Sequence, residues 1–351
     1  MADTADLTKK LPRESTFQSL LTANQATATT LGQMLTVLQN RSTDIAAWKD
    51  AVLSLSTADK NSLKSAIYEV LGLNSSTQTS IEALPDIFEI LDTAATAENG
   101  AALHNSLYRG KNLGSAPTAD QLARVNDGTF KGLWAGDYWS KSTTYSYPDP
   151  EQEDNPLTSV TKTLTARILD HDYYLRCGDT STSQHHLNMA FDELLFSSPM
   201  NKGANKTEGG YVGSDMFTIF LEGALNAFNA FFGSAHILQH RKYLVNSVTD
   251  GYPSAGAWYD RKIDLMNEVM VYGSYIHTPA GNGTIIPTRY TIEKSQLAAF
   301  QLNKKLISTR SYWWLRDVVS AAYFAYVNSN GYASYNNASL ARGVRPAALI
   351  Y

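Results

Sequence analysis

The chain has 351 residues, 43% hydrophobic and 18% charged, with a formal net charge of −4. That apolar content excludes a wholly disordered chain, and the lack of a basic field argues against nucleic-acid binding. Its single cysteine, Cys177, excludes an internal disulfide and a multi-cysteine zinc site.

At about 150 residues per domain the length allows two domains, or one large domain with an N-terminal appendage. The first residues, MADTADLTKKLPREST, hold no apolar run after their lysines, so no secretory leader is expected. No run of 18 apolar residues occurs, so no membrane insertion is expected. Phe17, Leu20, Leu21, Leu31, Met34, Leu35 and Leu38 are spaced as one face of an amphipathic helix. Asp44 and the Ser56–Asp59 stretch read as caps of two more helices, and a short fourth one holds Ile81, Leu84, Ile87, Phe88 and Leu91. Residues 1–95 therefore read as a helical stalk or docking module. It is too thin to bury its own apolar faces and is expected to self-associate.

Residues 96–135 read as a connector, with a short helix capped at Thr118. From residue 136 to 351 the pattern predicts an α+β domain. Tyr138–Tyr145 and Val160–Leu169 read as paired strands around an acidic, proline-rich loop. Helices are expected over 186–196, 214–232 and 236–247, then glycine-rich connections between 250 and 290. Ser311–Asp317 reads as an aromatic strand whose adjacent Trp313 and Trp314 point to opposite faces. The apolar tail Pro346–Tyr351 reads as a buried terminal strand.

Catalytic and metal-binding constellations are weak. His236 and His240 lie four apart on an expected helix, as two metal ligands would, but no glutamate follows His236. Cys177 has His185 and His186 nearby in sequence as potential bases, with nothing further to support a nucleophile. Glu208–Gly213 is glycine-rich yet lacks the strand–helix context of a dinucleotide site and reads as a turn. No metal, no cofactor and no enzymatic activity are expected.

The informative stretch is Ser320–Arg342, SAAYFAYVNSNGYASYNNASLAR. It holds four Tyr, four Asn and four Ser, where an even spread of the 20 tyrosines would leave roughly one there. Asn330-Gly331 is a strong hairpin-turn signal. Tyrosine brings large amphipathic area at low rotamer cost, and Ser and Asn bring adaptable hydrogen bonds, which is the chemistry of a binding surface.

The stretch Trp313–Ala347 resembles the variable region of diversity-generating retroelement target proteins. Those proteins carry a C-type lectin fold in the variant shared with formylglycine-generating enzymes. The resemblance extends over about 130–351. It rests on Gly136-Asp137-Tyr138-Trp139, Gly209–Met216, Gly233–Leu238, Trp313-Trp314-Leu315-Arg316 and Gly343-Val344-Arg345-Pro346-Ala347. The chain is most similar to the versions found in phages and prophages of gut-type Gram-positive bacteria. The resemblance implies diversified ligand-binding positions at Tyr323, Tyr326, Asn328, Ser329, Asn330, Tyr332, Ser334, Tyr335, Asn336, Asn337, Leu340 and Arg342. The implied framework is Phe324, Ala325, Val327, Gly331, Ala333, Ala338 and Gly343. The reactive cysteines of the related oxidising enzymes are missing, as are the Glu-Pro-Asn, Gln-Pro-Asp and Trp-Asn-Asp motifs of calcium-dependent sugar sites.

The implied function is a virion-displayed phage receptor-binding or adhesion protein, located in a tail fibre, tail tip or head fibre. It would bind a host cell-surface protein or glycan and form a homo-oligomer, preferably a trimer. Residues 1–95 would attach it to other virion proteins. The alternative is a structural head-fibre or decoration protein with little binding activity.

Overall fold

The computed structural model describes residues 87–180, 182–279, 293 and 295–351. The helices expected between residues 17 and 84 lie outside these. The unit that is described spans Ile87–Tyr351. It mixes helix and sheet, as an α+β chain should.

The unit begins inside the expected N-terminal module, and the expected connector is folded into it. Three short helices, α1 (Ile87–Thr93), α2 (Gly100–His104) and α3 (Ala119–Asn126), lie here. Asp92 of α1 bonds His104 Nε2 at 2.8 Å and accepts from the Gly132 amide at 2.9 Å. His104 is fully buried, its ring 4.4 Å from that of Trp134. Removing residues 87–135 would strand the buried Asp170 and His171, which bond Asn105, and in the case of His171 also Leu133 O. Helix α3 carries the full capping box, with Thr118 Oγ1 accepting from the Gln121 amide and Gln121 Oε1 from the Thr118 amide.

Two long strands follow, β1 (Tyr138–Pro148) and β2 (Leu157–His171), paired antiparallel from Tyr138↔Arg167 to Pro148↔Leu157. The outer half of β2 alternates in exposure and the inner half is almost wholly buried. The hairpin thus projects at its turn and enters the core at its base. The helix expected over 186–196 is instead β3 (Leu187–Phe191), buried along its length between β2 and the last strand, followed by the two-residue β4 (Ser197–Ser198). A buried run of five residues (LNMAF) is too short to show a period, so strand and helix look alike in it.

The expected helix 214–232 forms, as a π turn at Met216–Phe220 continued by α4 (Leu221–Phe232). It lies so close to β1 that a Cβ on Gly223 would sit 2.3 Å from Tyr147 Cβ, so only glycine fits there. The helix expected over 236–247 does not form. Ser234–His236 is a single 3-10 turn, and β5 (His240–Thr249) pairs with β6 (Tyr252–Arg261) as a separate ribbon. The inward positions of β5 begin with His240, Lys242 and Leu244, so polar residues mask its alternation. Strand β7 (Ile263–Leu265) and helix α5 (Glu268–Tyr272) occupy the expected glycine-rich connection. Helix α6 (Ala298–Leu302) and a 3-10 turn at Lys304–Leu306 lead into the final strands.

These are β8 (Trp313–Val318), β9 (Tyr323–Val327), β10 (Ala333–Asn337), β11 (Arg342–Gly343) and β12 (Pro346–Ile350). One five-stranded sheet runs β1-β2-β3-β12-β7 and the other β10-β9-β8-β11-β4. The apolar C-terminal strand is therefore interior, with Pro346 at its first position, where the missing N–H costs least. Trp313 and Trp314 are both fully buried, one in each of two core clusters. Among the described residues no helix is long and apolar enough to cross a membrane.

Candidate ligand-binding face

Strand β8 is the foundation. Trp313 donates its indole N–H to Ile307 O at 3.2 Å, and Trp314 donates to Ser198 O at 2.9 Å. Next in the strand, Arg316 is buried against Glu293, which also accepts from Tyr174 Oη at 2.7 Å and lies 3.7 Å from Lys242 Nζ. Burial alone would raise the Glu293 carboxyl, but Arg316 and Lys242 outweigh it and hold the group below the usual glutamate range. Asp317 has no such cation to itself. Burial, with the Glu268 charge second, pushes it up to about 7.

Strand β9 pairs with β8 (Trp314↔Tyr326) and with β10 (Tyr326↔Ser334, Ala325↔Tyr335, Tyr323↔Asn337). Among the described residues strand β10 has no neighbour on its other side. The pleat sends alternate residues to opposite faces. Tyr323, Tyr335 and Asn337 therefore share one face, and Tyr326, Ser334 and Asn336 the other. On the first, the Tyr323 and Tyr335 rings lie 5.5 Å apart and His277 packs edge-on to Tyr335 at 5.1 Å. On the second, Tyr326 meets Tyr312 at 5.6 Å, and the Arg342 guanidinium lies 5.0 Å from the Tyr312 ring and 5.5 Å from that of Tyr326.

The tip is built by Asn328. Its side-chain oxygen accepts from the amides of Asn330 (2.9 Å) and Tyr332 (3.0 Å), and its backbone closes the turn with Tyr332 and Gly331. Gly331 has φ +87°, a left-handed conformation, and a Cβ there would be 3.2 Å from Ser308 Cβ. Ser308 Oγ donates to Ser329 O at 2.9 Å and Tyr272 Oη to Gly331 O at 3.1 Å, tying the tip to the body.

All twelve implied positions lie on the hairpin or the return to β11, and the structure sorts them. Tyr332 (68% exposed), Tyr335 (45%), Asn330 and Leu340 are open, while Tyr323, Ser329, Ser334, Asn336, Asn337 and Arg342 are half-buried. Tyr326, at 8%, is a core residue, and Asn328 serves the turn. Of the implied framework, Phe324, Ala325, Val327, Ala338 and Gly343 are buried. Side chains of the hairpin thus face two ways and crown a tip, rather than forming one flat patch.

Sequence reasoning missed the supports. Tyr312 is 45% exposed beside Tyr326 and belongs with the face, not with the ordinary core tyrosines. His277 is set by Glu268, whose buried carboxylate accepts from the amides of Ile276 (3.0 Å), His277 (3.1 Å) and Thr278 (3.0 Å). Asn205 accepts from Ser339 N and Oγ, and Thr207 donates to Ser320 O. No local sequence signal marks these residues, because each partner is distant along the chain.

The other constellations have structural roles. His236 does not share a helix with His240: its Nδ1 bonds Tyr351 O at 3.0 Å, and His240 is buried in β5 with its ring 4.5 Å from that of Tyr174. His185 Nδ1 bonds Asp172 at 2.6 Å, and His186 Nε2 accepts the Tyr174 amide. The Cys177 thiol donates to Leu175 O, and burial pushes its pKa up, the opposite of an activated nucleophile. Among the described residues no group of three or more potential ligands is placed to hold a metal. The small, partly open cavity lined by Tyr211, Asn267, Glu293, Arg316 and Asp317 is about 30 Å³, room for one water. Beside the hairpin tip lies a far larger groove of about 620 Å³.

Residues 284–351 match the family described as a domain of unknown function (DUF6273). The match takes in α6, strands β8–β12, the hairpin and its tip groove. No curated protein and no solved structure matches the chain.

Proposed function

We propose that the protein is a phage adhesion protein whose β9–β10 hairpin and the run to Arg342 form a variable host-binding surface. The domain that presents it is read as C-type lectin-like and non-catalytic. Residues 1–95 are read as the element that oligomerises the chain, as a trimer, and attaches it to the virion. The single supporting observation is the division within one hairpin. Ten of the twelve implied variable positions have accessible side chains free of the fold's core and turn duties, while the framework positions between them are largely buried. Exposed Tyr, Asn and Ser on an edge hairpin give contact area and hydrogen bonds without acid–base chemistry.

Two experiments test this. The coding DNA at the variable positions should read as mutated AAC or AAT codons, with a near-identical downstream repeat and a reverse transcriptase gene; ordinary codons and no repeat defeat the diversification. Tyr323→Ala with Tyr335→Ala should abolish adsorption of particles to the host. Normal adsorption by such particles would leave the structural head-fibre or decoration reading instead.

A further inference from the structure

The groove beside the hairpin tip carries a charge that the adhesion reading leaves unused. Its wall is the 3-10 turn and following loop, with Lys304, Lys305 and Arg310, and its rim is Asn330 and Tyr332 of the tip. All three cations are exposed, and among the described residues none has an ion-pair partner. No carboxylate lines the groove. Three like charges within seven residues repel one another, and an anion lying across them relieves that repulsion. Tyr332 adds an open aromatic ring with no ring contact among the described residues. The groove's volume is that of a small-ligand site, sized for a short oligomer and too large for one trapped ion. Its wall and rim are also locked together, through Ser308 Oγ to Ser329 O and Tyr272 Oη to Gly331 O, so the groove exists before a ligand arrives.

We infer that this groove binds a linear anionic glycan, with its carboxylate or phosphate groups on Lys304, Lys305 and Arg310 and a sugar ring against Tyr332. Arginine meets either oxyanion with a two-pronged fork and lysine as a point charge. A nucleic acid would need a broader basic field than a chain of net charge −4 provides. An acidic peptide would want apolar pockets for side chains, and the apolar lining residue Ile307 is already buried. The choice of a glycan rests on the surface-adhesion reading. The site itself sits on residues outside the variable set apart from its rim, so it would supply a constant first contact beside a changing one.

The test is titration calorimetry on the full chain with four probes: polygalacturonate, a glycerol phosphate polymer, dextran and polyglutamate. At least one of the two anionic glycans should bind, dextran should not, and polyglutamate should bind at least about tenfold more weakly. Tighter polygalacturonate identifies carboxylate as the recognised group, and tighter glycerol phosphate polymer identifies phosphate. Raising salt from about 50 to about 500 mM should weaken binding at least tenfold, because the contacts are exposed charges. Lys304→Glu with Lys305→Glu should abolish it; should that variant not fold, Lys304→Gln with Lys305→Gln should still weaken it about tenfold. Failure of both anionic glycans to bind, equal binding of polyglutamate, or unchanged binding by the variants overturns the inference. Tyr323→Ala with Tyr335→Ala lies at the hairpin strands, away from the tip, and should leave glycan binding intact. Glycan binding without tyrosine-dependent adsorption refutes the adhesion reading alone. Tyrosine-dependent adsorption without glycan binding refutes the groove alone.

Discussion

Strands β8 and β10 lie in one sheet, a single strand apart, and are built on opposite principles. In β8 (WWLRDV) every side chain is buried and each polar group has a particular partner: indole to carbonyl, guanidinium to carboxylate, carboxylate to the Glu268 amide. In β10 (ASYNN) no residue is buried, and what holds the strand is its backbone pairing with β9. A ladder of backbone hydrogen bonds does not depend on which side chain stands at each rung. Identity is thus fixed in β8 and free in β10, and the intervening β9 divides the two regimes residue by residue. Substitutions on either side of β9 should therefore differ sharply in cost.

The largest effect belongs to Trp314→Ala. The ring is fully buried, contacts Tyr326 edge-on at 6.0 Å and donates to Ser198 O. Its removal should cost about 3–5 kcal/mol and leave an orphaned carbonyl. Denaturant unfolding measures this, and a loss under about 1 kcal/mol would contradict the two-sided burial of β8.

Next is the pH dependence set by Asp317. Its folded-state pKa, about 7, lies above the ordinary aspartate value, as does that of Asp170, raised by burial to about 7 as well. A carboxyl raised on folding binds its proton more tightly in the native state. Its stabilising contribution is complete below pH ~4 and is lost as pH rises to about 7. Each pKa unit corresponds to about 1.4 kcal/mol, so each of the two groups should cost about 4 kcal/mol across that window. Glu293, held low, acts oppositely and only in acid. Asp317→Asn keeps an oxygen for the Glu268 amide and removes the titration. The variant should show a flatter stability profile from pH 4.5 to 8 than the parent, and a profile of equal slope would place the titration elsewhere.

Gly331→Val tests the join between the two regimes. The left-handed φ and the 3.2 Å approach to Ser308 should together cost about 1–3 kcal/mol and loosen the tip. Hydrogen exchange at the Gly331 and Tyr332 amides should rise with little change in the β8 amides.

The same contrast explains what was legible in the sequence. The β1–β2 hairpin, the Thr118 cap, helix α4, strand β8, the Asn330-Gly331 turn and the buried C-terminal strand all follow local rules of period, cap or turn, and all form. The misread segments, β3 and β5, are strands whose local pattern is ambiguous: one is too short to show a period, and the other turns His240 and Lys242 inward. Lys242 can point inward only because Asp264 and Glu293 wait there, and neither is near it in sequence. For the site, composition located the hairpin but not its division into two faces, and of the positions implied by the resemblance, Tyr326 is buried and Asn328 closes the turn. Exposure and register are properties of the assembled sheet, and a residue type carries neither.

The smallest expected effect is the most telling for the binding surface. Tyr335 is 45% exposed, opposite Ala325 on an edge strand, with rings of Tyr323 and His277 as its neighbours. Tyr335→Ala should cost under about 1 kcal/mol, since it loses aromatic contacts of modest worth and opens no cavity. Ala325, directly opposite and fully buried, should behave in the opposite manner: Ala325→Tyr would force a ring into the cluster with Trp313 and Val327. Unfolding midpoints of the two variants, measured side by side, should therefore lie far apart despite their being cross-strand partners. Similar midpoints would mean that β9 does not separate a fixed interior from a permissive edge, and the physical case for a variable face on this hairpin would fall with it.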